Sequence, residues 1–211
     1  MDEALAHLSA NDPVMKRLIA DYPRPGFEKH TDYYRELVDS IISQQLSVKA
    51  ARAIEGRFKD LFGGRFPEPP EILTKSEDEL RAIGLSYAKA RYVRDLARKI
   101  IDGDVRFDTI DGLTNDEIVA ELTKVKGVGE WTVHMFLMFC MARLDVLPRG
   151  DLGVRNGVTA LYGLDAQASP DDVTAVAEKN NWQPYESVAS WYVWQSLENV
   201  PATSSSSQPA V

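Results

Sequence analysis

Apolar residues recur at three- and four-residue spacings along nearly the whole chain, and no stretch alternates apolar and polar residues as a half-buried strand would. The pattern predicts an all-α protein. Asn11-Asp12-Pro13 reads as a cap followed by a first-turn proline, so the first helix is expected to begin there and to stop before Tyr22-Pro23-Arg24-Pro25-Gly26. Tyr34, Leu37, Val38, Ile41 and Ile42 stripe the next helix, which runs into Ser43-Gln44-Gln45-Leu46-Ser47. Ser47 can cap a further helix reaching Leu61. Short helices follow, one opened by a capping box from Ser76 to Glu79, and then a corner, Ile83-Gly84-Leu85-Ser86-Tyr87. The helix beyond it carries Tyr92, Val93, Leu96, Ile100 and Ile101. A second capping box, Thr114 to Glu117, starts a helix whose Ile118, Leu122 and Val125 face inward.

The chain then turns at Gly127-Val128-Gly129 into an apolar helix, and Asp151 stands at the mouth of the helix after that. That helix is expected to end near Tyr162-Gly163, the next to run from Ser169-Pro170 to Asn180, and the last to begin near Pro184. Its Trp191 and Tyr192 sit at core spacing. Residues 201–211 hold too few apolar side chains to pack and are expected to form a disordered tail.

Composition narrows the class. A chain of 211 residues, 44% hydrophobic, can bury the core of one domain or of two small ones. Its longest apolar run, Val133 to Ala142 broken only by His134, is shorter than the ~20 residues that span a bilayer, so no membrane partner is expected. Met1-Asp2-Glu3-Ala4 has no leader character, which points to the cytoplasm, or to the nucleus in a eukaryote. A single cysteine, Cys140, excludes an internal disulfide, a Cys-ligated zinc and a four-cysteine iron–sulfur cluster. The net charge of −8 argues against indiscriminate coating of nucleic acid but leaves room for a local basic patch. Between Tyr87 and Lys99, Lys89, Arg91, Arg94, Arg98 and Lys99 face only Asp95; a solvated helix face would look the same.

The Gly127-Val128-Gly129 turn, with Lys124 and Lys126 just before it, has the makings of a sequence-independent grip on one phosphate: glycines let backbone N–H groups approach an anion, and the following helix offers its unpaired N–H groups. A tight connection between two helices has the same form. Asp151 can act as a reagent or as a helix N-cap. Gln45, in an inter-helix corner, carries an amide suited to base edges or backbone.

Five segments, in order, resemble motifs of the helix–hairpin–helix DNA glycosylase superfamily, closest to the 3-methyladenine DNA glycosylases of the AlkA and yeast Mag type. They are Ile41 to Ser47, Gly84-Leu85-Ser86, Gly127 to Thr132, Leu147 to Asp151 and Trp182 to Tyr185. The resemblance implies a two-lobed all-α fold: a six-helix unit over about 31–150, a second lobe from 1–30 with 151–200, and a cleft between them bringing Trp194 opposite Trp131. It implies a monofunctional enzyme that flips alkylated purines out of double-stranded DNA and excises them, acting as a monomer without cofactor. Asp151 would be catalytic. Trp131 and Trp194 would line the base pocket, joined by Tyr34 or Tyr192, and Gln195 replaces a tyrosine of the bacterial relative. Lys124, Lys126, Gly127, Val128 and Gly129 would hold the phosphate, with a sodium or potassium ion permitted on the backbone of Val125 and Val128. Gln45 would meet the opposite strand, and Ser86 or Tyr87 would fill the gap left by the flipped base. Trp131 stands where bifunctional relatives carry a Schiff-base lysine, so no lyase activity is expected. A non-catalytic DNA-binding or damage-sensing protein with the same hairpin is the alternative.

Overall fold

The computed structural model describes residues 1–198, and the expected tail lies outside them. Among the described residues the α-helices are α1 (Asp2–Asn11), α2 (Pro13–Asp21), α3 (Tyr33–Ser43), α4 (Val48–Leu61), α5 (Pro69–Thr74), α6 (Glu77–Ala82), α7 (Tyr87–Ile101), α8 (Asn115–Leu122), α9 (Glu130–Met135), α10 (Leu152–Tyr162), α11 (Pro170–Lys179) and α12 (Glu186–Glu198). No strand occurs among them, as the apolar spacing predicts. No helix is long and apolar enough to cross a membrane.

The caps fall where the sequence places them. Asp12 accepts from the amides of Val14 (2.8 Å) and Met15 (3.2 Å), and Ser47 from that of Ala50 (3.3 Å). Ser76–Glu79 and Thr114–Glu117 form full capping boxes. Each such cap is worth ~1 kcal/mol, enough to decide where a marginal helix begins. Two expectations need correction. α1 precedes the helix expected to be first; its inward face is only Ala4 and Leu8, too short a stripe to stand out. The apolar helix after the hairpin does not continue as α-helix: it passes into a π-turn, Phe136–Cys140, closed by Met141 N–H on the Phe136 carbonyl (3.0 Å). One extra residue in that turn rotates the side chains that follow, and Phe139 is left 41% exposed.

The chain divides into two compact units, Glu28–Ala142 and Met1–Phe27 with Arg143–Val211. In the central unit α3 packs on α4 and α7, α5 and α6 on α7, and α8 on α9. It holds seven α-helices, α3 to α9, rather than six, because α5 and α6 are separate short helices. In the unit of chain ends α1 packs on α2, and α12 on α2 and α10. Residues 143–150, expected with the central unit, belong here: Ser187 donates from its amide to the Leu144 carbonyl (2.9 Å) and from Oγ to the Arg143 carbonyl (2.7 Å), and accepts from Val146 N–H (3.1 Å). Asp12 is fully buried at the centre of this unit. While Oδ1 caps α2, Oδ2 accepts from the Tyr162 hydroxyl (2.5 Å) and the Trp182 indole (2.8 Å), so the carboxylate's donors come from three separate segments. Tyr192 is fully buried and Trp191 packs against the same core, so Tyr192 belongs to the core and not to a base pocket.

Candidate active site

The hairpin between α8 and α9 depends on Gly127. Its φ of +79° is a left-handed conformation, and an added Cβ would lie 2.1 Å from Cδ2 of Tyr92. Val125 and Val128 are buried beneath the turn, with Val128 N–H on the Val125 carbonyl (3.1 Å). Lys126 N–H is held by Asp95 Oδ2 (2.9 Å), and the exposed Lys126 ammonium stands 3.8 Å from the same carboxylate. Lys124 is exposed. Gly129 differs from Gly127. Its φ is −99°, no side chain caps α9 behind it, and a Cβ there would meet nothing within 4 Å. Gly129→Ala is therefore expected to fold with unchanged thermal stability; if the hairpin grips a phosphate, as the resemblance implies, the added methyl should also weaken binding to all DNA sequences alike, about tenfold. Equal affinities of mutant and wild type in a duplex titration would make the turn a mere connector.

Trp131, second residue of α9, is 51% exposed. It walls a cavity of about 500 Å³ whose other sides come from Ser40, Ser43, Gln44, Gln45, Gly127, Thr132 and Met135. An indole face left half in water beside hydroxyl and amide groups is poised to stack on a flat ligand. Tyr34, also expected in the base pocket, is not among the residues that line this cavity. Its hydroxyl donates to the Pro67 carbonyl (3.1 Å), its ring sits edge-on to Phe66 at 5.6 Å, and burial raises its pKa. A neighbouring cavity of about 450 Å³ shares Ser40, Ser43 and Met135 and contains His30, paired with Glu36 at 2.8 Å, and Asp39. Burial, with Glu55 adding repulsion, pushes the Asp39 carboxyl up to about 6.

The two inter-helix corners lie in the same unit. Gln45 is exposed with φ +56°, a conformation costing a non-glycine residue roughly 1–3 kcal/mol and typical of functional loops. Ser86 caps α7 by accepting from Lys89 N–H (3.2 Å); Tyr87 is 49% exposed, with the Arg81 guanidinium 3.6 Å above its ring. The basic stripe of α7 is not a phosphate track as a whole. Lys89 and Arg94 donate to main-chain carbonyls, and Lys99 pairs with Asp104 at 3.2 Å.

Asp151 lies in the unit of chain ends. Its amide donates to the Pro148 carbonyl (2.8 Å) in a tight turn, and its Oδ1 accepts both Val154 N–H (2.8 Å), capping α10, and the Trp194 indole N–H (2.8 Å). The cap and the indole thus converge on one oxygen. Trp194, expected in the base pocket, donates its indole N–H to Asp151, and Gln195 follows it, half-buried on α12. Gly153 makes the contact possible: a Cβ there would lie 2.8 Å from Trp194 Cδ1 and 3.0 Å from both its Nε1 and Asp151 Oδ1. Among the described residues no group of three or more His, Cys, Asp or Glu is placed to hold a metal.

A family model for the HhH-GPD superfamily of base excision DNA repair proteins matches residues 38–183. The chain belongs to this superfamily. The matched span takes in both corners, the hairpin, Trp131 and Asp151, while Tyr34, Trp194 and Gln195 fall outside it. DNA-3-methyladenine glycosylase 1 of Schizosaccharomyces pombe is 36% identical over 201 residues, 92% of this chain and 87% of that protein. The S. pombe 3-methyladenine DNA glycosylase Mag1, solved in complex with abasic DNA, superposes with a TM-score of 0.79 at 35% identity, covering 94% of this chain and 98% of the other. A Bacillus halodurans DNA-3-methyladenine glycosidase gives 0.83 at 33% identity, covering 93% and 89%. Within this HhH-GPD chain the residues whose contacts around these loops sequence reading passes over are Lys89, Gln44, Asp95 and Gly153. Lys89 and Asp95, with Tyr92 between them at i, i+3, i+6 on α7, share one helix face, and that spacing is the available signal for two of the four.

Proposed function

We propose that the chain is a monofunctional glycosylase that excises alkylated purines of the 3-methyladenine class from double-stranded DNA, the first step of base excision repair. The observation that carries this reading is Asp151, held by cap and indole on one oxygen, in a superfamily of base excision repair proteins whose relatives at 36% and 33% identity are named for 3-methyladenine. A ring-alkylated purine carries positive charge, so its C1′–N bond is already weakened. As that bond breaks, the electron pair leaves with the base, which departs neutral. The sugar becomes oxocarbenium-like, and the Asp151 carboxylate stabilises that charge and accepts a proton from the water that adds to C1′. Flipping the target base out of the stack costs a few kcal/mol, which stacking on Trp131 partly offsets. The hairpin holds a phosphate through Gly127 to Gly129, with Lys124 and Lys126 beside it. Ser86 or Tyr87 fills the gap and Gln45 meets the opposite strand. No cofactor is needed; the carbonyls of Val125 and Val128 are of the type that takes sodium or potassium. The protein acts as a monomer in whichever compartment holds its DNA.

Trp131 at the position of a Schiff-base lysine implies that hydrolysis alone breaks the bond. Methylated duplex incubated with the protein should therefore acquire alkali-labile sites while its strands stay intact, and borohydride should trap no protein–DNA adduct. Strands already broken before alkali, with an adduct trapped, would restore the lyase reading. Absence of new alkali-labile sites would favour the non-catalytic alternative.

A further inference from the structure

We propose that Lys89 is a positioning residue that sets the separation between the loops facing DNA; the inference rests on the function proposed above. One turn into α7, the Lys89 ammonium leaves the surface and donates to two main-chain carbonyls at the end of α3, those of Ile42 (2.8 Å) and Gln44 (2.5 Å). Helix C-termini leave such carbonyls unpaired, and a cation there is favourably placed against the helix dipole. Loss of hydration lowers the Lys89 pKa, as expected for an ammonium drawn inward.

The neighbouring contacts make this bond part of a closed circuit. Gln44 sends its side-chain Nε2 to the Gly127 carbonyl (3.0 Å), linking the corner to the hairpin. A turn beyond Lys89, Tyr92 fills the space beside Gly127, and one turn further Asp95 holds Lys126 N–H. The face of α7 thus fastens the Gln44-Gln45 corner through Lys89 and the hairpin through Tyr92 and Asp95, while its own N-terminus presents Ser86 and Tyr87. Gln45, strained at φ +56°, directly follows the anchored Gln44. Filling a gap in the duplex from one corner and contacting the opposite strand from another requires a fixed distance between them, which the Lys89 bonds supply.

The test uses the full chain and two duplexes, one with an abasic site and one intact, titrated over a range of salt concentrations. Lys89→Met keeps the stem and removes the donors. It is expected to lower the preference for abasic over intact duplex about tenfold, with the salt dependence unchanged, because this ammonium bonds carbonyls and not phosphate. Lys89→Arg, able to donate to both carbonyls, should recover most of the preference. Gln44→Leu, which cuts only the link to the hairpin, should shift the preference in the same direction by a smaller factor, and Lys89→Gln, too short to reach both carbonyls, takes the place of Lys89→Met if that variant does not fold. An unchanged preference in these variants would overturn the proposal. So would an equal loss on both duplexes with the salt slope reduced by about one, the mark of a phosphate contact. A wild-type protein with no preference for the abasic duplex would instead sink the functional reading, and this inference with it.

Discussion

Asp151→Asn is expected to fold as the wild type does, to bind DNA within a few-fold of it, and to lose base release by about a thousandfold, a transition-state loss of ~4 kcal/mol. The prediction is sharp because the geometry separates charge from structure. Asp151 Oδ1 accepts the Val154 amide and the Trp194 indole, and an asparagine carbonyl oxygen can accept both. Asparagine is also as good an N-cap as aspartate, so α10 should keep its start. What disappears is the negative charge that the proposed mechanism sets against a developing oxocarbenium ion. A thermal unfolding scan and a duplex titration on the same preparation separate the chemical effect from a structural one.

The second large effect is expected at the other end of the indole bond. Trp194→Phe keeps an aromatic ring on α12 but removes the N–H, and a hydrogen bond to a charged group is worth roughly 1.5–3 kcal/mol, so the rate of base release should fall about tenfold to a hundredfold. Gly153→Ala should reproduce the loss with both partners left unsubstituted, since its methyl would stand 2.8 Å from Trp194 Cδ1 and 3.0 Å from Asp151 Oδ1. Gly157→Ala is the control. Its methyl would lie 2.3 Å from Val193 Cγ1 and 3.1 Å from the Val193 carbonyl oxygen, so overpacking of α10 against α12 should lower stability by about 1–3 kcal/mol and leave the rate per folded molecule unchanged. If Gly153→Ala and Gly157→Ala lose rate and stability in the same proportion, the indole bond has no special role in aiming Asp151.

Local chemistry made much of this molecule readable from its residues. Asp12, Ser47, Ser76, Thr114 and Ser169 cap helices because capping needs only a side-chain oxygen a few residues from an unpaired amide. Gly127 declared itself for a similar reason, a tight turn with positive φ. Asp151 was legible both as a cap and, by resemblance, as a reagent. Features set by distant packing were not legible. Ala4 and Leu8 form too brief a stripe to announce α1, which gains its place by packing on α2 and α12. The π-turn after Met135 leaves no mark in apolar spacing. Basic residues on α7 look alike in sequence, yet Lys89 turns inward to carbonyls that lie 45 and 47 positions away. Nor do the partners of polar aromatic groups show in the sequence: the Tyr34 hydroxyl donates to the Pro67 carbonyl and the Trp194 indole to the Asp151 carboxylate.

Whether this chain breaks the glycosidic bond of an alkylated purine through Asp151 is decided by single-turnover release of free base from methylated duplex DNA, with enzyme in excess and wild type and Asp151→Asn run side by side. Free 3-methyladenine is expected from the wild type in a first-order burst, with about a thousandfold slower release from the variant at matched DNA occupancy. Release at equal rates by the two proteins, or none from a wild type that demonstrably occupies the DNA, would contradict it.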